Sequence, residues 1–229
     1  MQQSVLITGT NRGIGLEFAR QYVEAGWRVH ACCRNPKAAT QLNTLNGPDF
    51  SVHRLDVTDP AGITALAQEL RGQPIDLLLN NAGTYGPAAT GFGRLQCDPW
   101  LTAFRINSIA PLLMAQAFLD HLEAGRGRTI ATLTSKMGSM DDNGSGGNYV
   151  YRSSKAALNA ALKSLALDLA PRRFKVLILH PGWVRTDMGG PHGEIAADES
   201  ARRLRALIAG ATASDSGRFI DIDGSTIPW

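Results

Sequence analysis

The chain has 229 residues, of which 44% are hydrophobic and 19% charged, and a net charge of +3. That is enough apolar content for a sizeable core and too little charge for a nucleic-acid surface. The closest basic blocks, Arg172-Arg173 and Arg202-Arg203, read as solvated helix surface, and no apolar run approaches the roughly 18 residues of a membrane span. Three cysteines, two of them adjacent (Cys32, Cys33), suit neither a disulfide framework nor C-x2-C metal spacing, so no metal site is expected. The expectation is a soluble, cytoplasmic protein folded as one domain over residues 1–229, with no membrane and no nucleic-acid partner.

Ser4 to Thr8 forms a buried-strand run that enters a glycine turn, Gly9 to Gly15. A helix follows from Leu16 to about Ala25, with Gly26 as its C-cap, and Trp27 to Cys33 is the second strand. Strand, glycine turn, helix and strand in so short a span make a βαβ unit, which calls for a parallel sheet. The alternation continues with a short helix over Lys37–Leu45, a third strand over Phe50–Leu55 and a helix over Ala61–Arg71. Thr58 or Asp59 caps that helix, with Pro60 in its first turn. Ile75–Leu79 is strand four. A loop rich in Gly, Pro and Thr leads to a helix from about Trp100 to Ala124. Thr129–Leu133 is strand five, Tyr149–Leu169 a long helix, Phe174–Leu179 strand six, Glu199–Ala209 a helix and Arg218–Ile222 a last strand. Seven strands alternating with six helices predict a Rossmann-type, doubly wound parallel sheet with helices on both faces. The strands are continuous apolar runs, as doubly covered strands should be.

In such a sheet ligands bind at the carboxyl ends of the strands. The first βα turn carries Gly9, Gly13 and Gly15, so the backbone can approach a pyrophosphate at the N-terminus of a helix. The end of strand two offers Arg34 and no acid to hold a ribose 2′-OH, and Arg12 lies in the glycine turn. Two guanidiniums there suit a 2′-phosphate, so NADP(H) is the preferred cofactor, with NAD(H) left open. Tyr151 and Lys155 stand four apart at the start of the long helix, which puts them on one face. A lysine so placed favours the phenolate and lowers the tyrosine pKa from about 10, as a general acid/base requires.

These segments resemble the short-chain dehydrogenase/reductase family along nearly the whole chain. Thr8 to Gly15, including Asn11, Arg12 and Ile14, looks like its TGxxxGIG cofactor motif. Asp56-Val57 resembles its adenine contact, and Asn80-Asn81-Ala82-Gly83 its NNAG motif. Tyr151 to Lys155 resembles its YxxxK, and Pro181-Gly182-Trp183-Val184-Arg185-Thr186 the segment that holds the nicotinamide carboxamide, with Pro181, Gly182, Val184 and Thr186 as contacts. Within the family, Asp141-Asp142-Asn143 and the run Asp223 to Trp229 resemble the sniffer-type carbonyl reductases and the C-factor (C-signal) proteins.

The resemblance implies a catalytic tetrad. Tyr151 is the acid that protonates a carbonyl oxygen. Lys155 binds the nicotinamide ribose, and Ser135 donates to the substrate oxygen. Asn107 positions a water next to Lys155. Tyr149 competes with Tyr151 but has Ser153, not a lysine, four residues on; Thr134 and Ser139 compete with Ser135. Two departures stand out. Sixteen residues separate Ser135 from Tyr151, with an insertion at Asp142–Gly147, and the segment after Thr186 is short. An open or shallow pocket is expected, with Tyr85, Met137, Trp183 and Met188 as candidate walls. The implied function is an NADPH-dependent reductase of small aldehydes or ketones; the alternative is a C-factor-like signalling protein that binds the dinucleotide with little turnover. The resemblance implies a homodimer, through the helices over Trp100–Ala124 and Tyr149–Leu169, and leaves a monomer open.

Overall fold

A computed structural model describes residues 2–87 and 91–229. Seven parallel strands form one sheet in the order β3-β2-β1-β4-β5-β6-β7. They are β1 (Ser4–Thr8), β2 (Arg28–Cys33), β3 (Phe50–Arg54), β4 (Leu77–Asn80), β5 (Thr129–Leu133), β6 (Lys175–Leu179) and β7 (Phe219–Ile220). The helices are α1 (Gly13–Glu24), α2 (Pro60–Glu69), α3 (Cys97–Phe104), α4 (Ala110–Ala117), α5 (Leu119–Ala124), α6 (Tyr149–Leu169) and α7 (Ala197–Gly210). The strand order reverses between β1 and β4, and the carboxyl ends of those strands open the crevice where such folds take ligands.

Side chains alternate across the sheet. Leu6, Leu78, Ile130 and Ile178 enter a core shared with α2, α4 and α6; Val5, Ile7, Leu79 and Leu177 enter a second core shared with α1 and α7. Both faces are therefore dry, which is why the strands read as unbroken apolar runs. The expected caps form. After α1, the Gly26 N–H donates to the Val23 carbonyl and the Trp27 N–H to that of Tyr22, a Schellman closure. Asp59, rather than Thr58, caps α2 by accepting from the Ala61 N–H at 3.0 Å.

Two expected helices differ. Lys37–Leu45 holds only two single 3₁₀ turns, Pro36–Ala38 and Leu42–Thr44. The Asn43 amide donates to the Pro36 carbonyl and the Thr44 hydroxyl to that of Gln41, local bonds that compete with a helical ladder. The helix expected over Trp100–Ala124 starts earlier, at Cys97, and is broken by a π-helical turn over Arg105–Ile109 and again at Phe118. The Gly/Pro/Thr-rich loop before it includes residues 88–90, which lie outside the described residues. The last strand is shorter than expected, two residues against five.

The amino ends of the strands are tied by one buried carboxylate. Asp76 accepts from the Ser4 N–H at 2.8 Å with one oxygen, and from the N–H groups of Arg126 (2.7 Å) and Gly127 (3.1 Å) with the other. It joins the starts of β1 and β4 to the turn before β5, at the edge away from the crevice. Asp76→Ala strands three N–H donors and should cost about 3 kcal/mol, read as a lower urea midpoint, with Asp76→Asn costing less because it keeps an acceptor. A second prediction concerns acid. His30 is buried on β2, its Nδ1 3.2 Å from Nε2 of His53, whose own Nδ1 lies 3.3 Å from Glu69. Burial, then the charges of His53, Arg28 and His121, lowers the His30 pKa to about 4. The folded state thus binds fewer protons than the unfolded state, so this stabilisation is present above the ordinary histidine pKa of about 6.5 and is lost as pH falls toward 4. Thermal melts of His30→Leu should show a shallower decline over that window than the wild type.

Candidate active site

The crevice is built by bolting two turns together. At the end of β1, the Thr8 hydroxyl accepts from the backbone N–H groups of Asn81 (3.1 Å) and Ala82 (3.0 Å). In return the Asn81 amide donates to the carbonyls of Thr8 (2.8 Å) and Gly9 (2.9 Å). The packing leaves no room for side chains: a Cβ on Gly15 would lie 2.2 Å from the Gly9 oxygen and 2.4 Å from Asn81 Nδ2. Gly9 adopts a φ of +72°, which glycine alone takes at little cost. α1 then begins at Gly13 with no side-chain cap and no acid in its first turn. Its first N–H groups and positive dipole end are left for an anion, so this cradle fits a dinucleotide pyrophosphate.

The surroundings fit the rest of the cofactor. Asn11 and Ile14 lie in the turn and first helical residues. Arg34 is exposed at the end of β2. Asp56 accepts from the Thr58 N–H (2.9 Å) and hydroxyl (2.7 Å); those bonds, and the Arg34 charge, keep its carboxyl below the usual range. Val57 packs against the core beside it. From the other side comes the 181–195 loop, held by a bond from the Ser200 hydroxyl to the Pro181 carbonyl at 2.7 Å. It runs through Gly182 and the buried Val184 and brings Thr186 to Gly13, where an added Cβ would sit 3.3 Å from the threonine methyl. In the same loop Asp187 pairs with Arg12 at 2.8 Å, both side chains largely exposed. Arg12 therefore faces this loop, a partner that sequence spacing did not suggest.

Tyr151, Ser135, Lys155 and Asn107 converge at the carboxyl ends of β4 and β5. Tyr151 and Lys155 share one face of α6, and the lysine Nζ stands 5.9 Å from the tyrosine ring centroid while donating to the Leu133 carbonyl at 2.9 Å. Burial dominates both charges. It raises the Tyr151 pKa to about 12, with a hydrogen bond from Ser135 opposing and the neighbouring Tyr85 adding to the rise. Burial lowers that of Lys155 to about 8. The expected lowering of the tyrosine by its lysine is therefore corrected: Lys155 is not among the groups that move the Tyr151 pKa, burial dominates, and the phenol is held in its protonated form.

Asn107 is fully buried in the π turn. Its amide oxygen accepts from the Thr84 N–H (2.9 Å), and its nitrogen donates to the Thr84 carbonyl (2.8 Å) and the Ser154 hydroxyl (2.9 Å). The competing residues point elsewhere. Thr134 donates to the Asn159 side chain at 2.6 Å, Ser139 accepts from the Asp142 N–H, and Tyr149 is partly exposed with its ring 6.3 Å from that of Phe92. Of the candidate walls, Tyr85 stacks on Tyr151 with centroids 4.5 Å apart and reaches the Met137 sulfur at 3.9 Å. Trp183 and Met188 are about half exposed on the 181–195 loop.

Three supporting residues were not singled out from the sequence. Ser154 links Asn107 to the Tyr151 carbonyl, to which it donates at 2.8 Å, and Ser108 donates to the Ser154 carbonyl at 2.7 Å. The available signal was a pair of serines on the buried faces of two helices, where serine is a poor helix former. Gly138 lets the turn after Ser135 press on α6; a Cβ there would lie 2.9 Å from the Lys155 backbone. A groove of about 520 Å³ between α2 and α4–α5 shares none of these residues and lies away from the crevice.

Known proteins share the fold. Residues 3–195 match the family model for short chain dehydrogenases. The C-signal protein of Myxococcus xanthus is 42% identical over 165 residues, 72% of this chain and 99% of that protein. The structure of the carbonyl reductase Sniffer of D. melanogaster superposes with a TM-score of 0.94 at 31% identity, covering all of both chains. That of an NADPH-bound carbonyl reductase from chicken fatty liver gives 0.93 at 34% identity, covering 100% of this chain and 99% of that one. Strand order, glycine cradle and motif sequence thus agree with a family match that spans most of the chain: the protein belongs to the short-chain dehydrogenase/reductase family of oxidoreductases.

Proposed function

We propose that the protein is an NADPH-dependent reductase of aldehydes or ketones. The observation that carries this reading is the buried Tyr151 phenol beside the glycine cradle, sharing a helix face with the buried Lys155, whose Nζ stands 5.9 Å from the tyrosine ring. Gly9, Asn11, Gly13, Ile14 and Gly15 would hold the pyrophosphate end, Asp56 and Val57 the adenine, and Arg34 with Arg12 the 2′-phosphate. Asn81, Ala82, Gly83, Tyr151, Lys155, Pro181, Gly182, Val184 and Thr186 would line the nicotinamide end. The likeness to the NADPH-bound chicken carbonyl reductase supports this choice of cofactor. When bound, the nicotinamide supplies the hydride.

The protein's part is proton supply and charge stabilisation. Ser135 donates to the substrate oxygen where negative charge develops. Tyr151 transfers its proton to that oxygen and becomes a phenolate. The Lys155 ammonium, charged below its pKa of about 8, stabilises that phenolate. Asn107 holds Thr84 and Ser154 in place with its side chain, so a further role falls to its backbone carbonyl. We assign that carbonyl to a water beside Lys155, through which the proton is replaced.

The direct test is NADPH oxidation with a panel of carbonyl compounds. Tyr151→Phe should lose activity by about 10²-fold or more; equal rates in variant and wild type would sink the mechanism. Since burial keeps Tyr151 protonated, the reduction rate should be flat below about pH 8 and fall above it as Lys155 loses its charge. Arg34→Ala should weaken NADPH relative to NADH by about tenfold, measured by fluorescence titration. A second reading, a signalling protein that binds the dinucleotide with little turnover, draws on the likeness to the C-signal protein. Tight NADPH binding with no turnover on any compound would select it.

A further inference from the structure

The wall between Ser135 and Tyr151 is longer than the family resemblance implies, and it is poorly packed along its second half. Gly144, Gly146 and Gly147 have nothing within 4 Å of an added Cβ. Most of its holds are local. Ser139 accepts from the Asp142 N–H at 3.0 Å, and Asn143 from the Gly146 N–H at 3.0 Å. Arg152, from the adjoining helix, donates to the Ser145 hydroxyl at 2.8 Å. One hold comes from far away in the chain: the Asp141 N–H donates to the Trp229 carbonyl at 2.9 Å.

Trp229 is 40% exposed, but the chain that carries it is well anchored. After β7 the chain turns back at 221–224, where the Asp221 N–H donates to the Ser225 carbonyl and Thr226 bridges antiparallel to Ile220. The Ile227 N–H donates to the Phe219 carbonyl at 2.8 Å, and the Ile227 side chain is buried in the core. The Trp229 indole lies against the fully buried Phe219, with ring centroids 5.7 Å apart. The rigid edge of the sheet is thus carried through an aromatic contact and one backbone bond to Asp141, six residues after Ser135 and ten before Tyr151.

We infer that Trp229 is a positioning residue for the substrate side of the site: it fixes the 139–147 wall against the sheet and so sets the fit of the carbonyl substrate, while leaving the dinucleotide cradle untouched. No residue of the cradle contacts it among the bonds just described, so its loss should act on substrate and not on cofactor. The inference rests on the reductase reading for its kinetic consequence and on geometry alone for its structural one.

The test has two arms. In the first, amide hydrogen exchange is followed in the intact protein. The Asp141 amide should be protected in the wild type, exposed in Trp229→Ala, and protected again in Trp229→Phe, which keeps a ring on Phe219. An unprotected Asp141 amide in the folded wild type, or equal protection in wild type and Trp229→Ala, overturns the inference. In the second arm, Trp229→Ala should raise KM for the best carbonyl compound by about tenfold, with kcat and the NADPH Kd near wild type and Trp229→Phe largely restoring KM. An unchanged KM, or a loss of NADPH affinity as large as the change in KM, overturns it. If Trp229→Ala does not fold, wild-type exchange and Trp229→Phe decide the matter. Failure of the reductase reading appears separately, as Tyr151→Phe matching the wild type, and leaves the exchange arm intact.

Discussion

The reciprocal bonding of Thr8 and Asn81 is the constraint on which the crevice depends. Two loops from adjacent strands, β1 and β4, meet at the point where the strand order reverses. Left alone, each would present unpaired backbone groups in a half-buried place, which is costly. Instead the threonine hydroxyl takes two N–H groups and the asparagine amide fills two carbonyls. Every group used is satisfied within the protein, so the glycine turn keeps its shape whether or not anything is bound. That is preorganisation of a binding surface in the plain sense: the ordering entropy is met during folding, not during binding.

The same economy shapes the catalytic side, with a different outcome. Here the polar groups are not all matched. Tyr151 and Lys155 are both buried, and burial shifts both toward their neutral forms. A protonated acid beside a lysine that keeps its charge below about pH 8 is what the proposed reduction needs poised, since the proton must leave the tyrosine only when charge appears on the substrate. The Asn107–Ser154–Ser108 links hold α6 against the segment before it, so the unmatched groups sit in a frame that does not yield.

Much of this was legible in the chain because it follows from local rules. Apolar runs gave the strands, and Gly26, Pro60 and Asp59 gave helix ends, since each acts through its own backbone or its nearest neighbours. The glycine cradle and the Tyr151–Lys155 spacing were readable for the same reason. What stayed hidden was long-range or depended on desolvation. The 3₁₀ turns at 36–44 replace a helix because Asn43 and Thr44 find closer partners. The raised phenol of Tyr151 reflects how deeply the fold buries it, which four-residue spacing does not report. Arg12 meeting Asp187, and Trp229 meeting Asp141, join residues that only the folded sheet brings together.

The π turn at Arg105–Ile109 adds one residue to a helical repeat, which rotates everything after it by about 100° relative to an unbroken helix. The segment before the turn is phased for α6 and the segment after it, from Ala110, for the sheet and α2. Asn107 sits at the change of phase. Shortening the chain by one residue there would regularise the helix and improve its hydrogen-bond ladder. It would also put one of its two halves out of register with its neighbours. The turn is therefore a splice between two packing surfaces that no single straight helix could serve, and the catalytic asparagine proposed here occupies the joint.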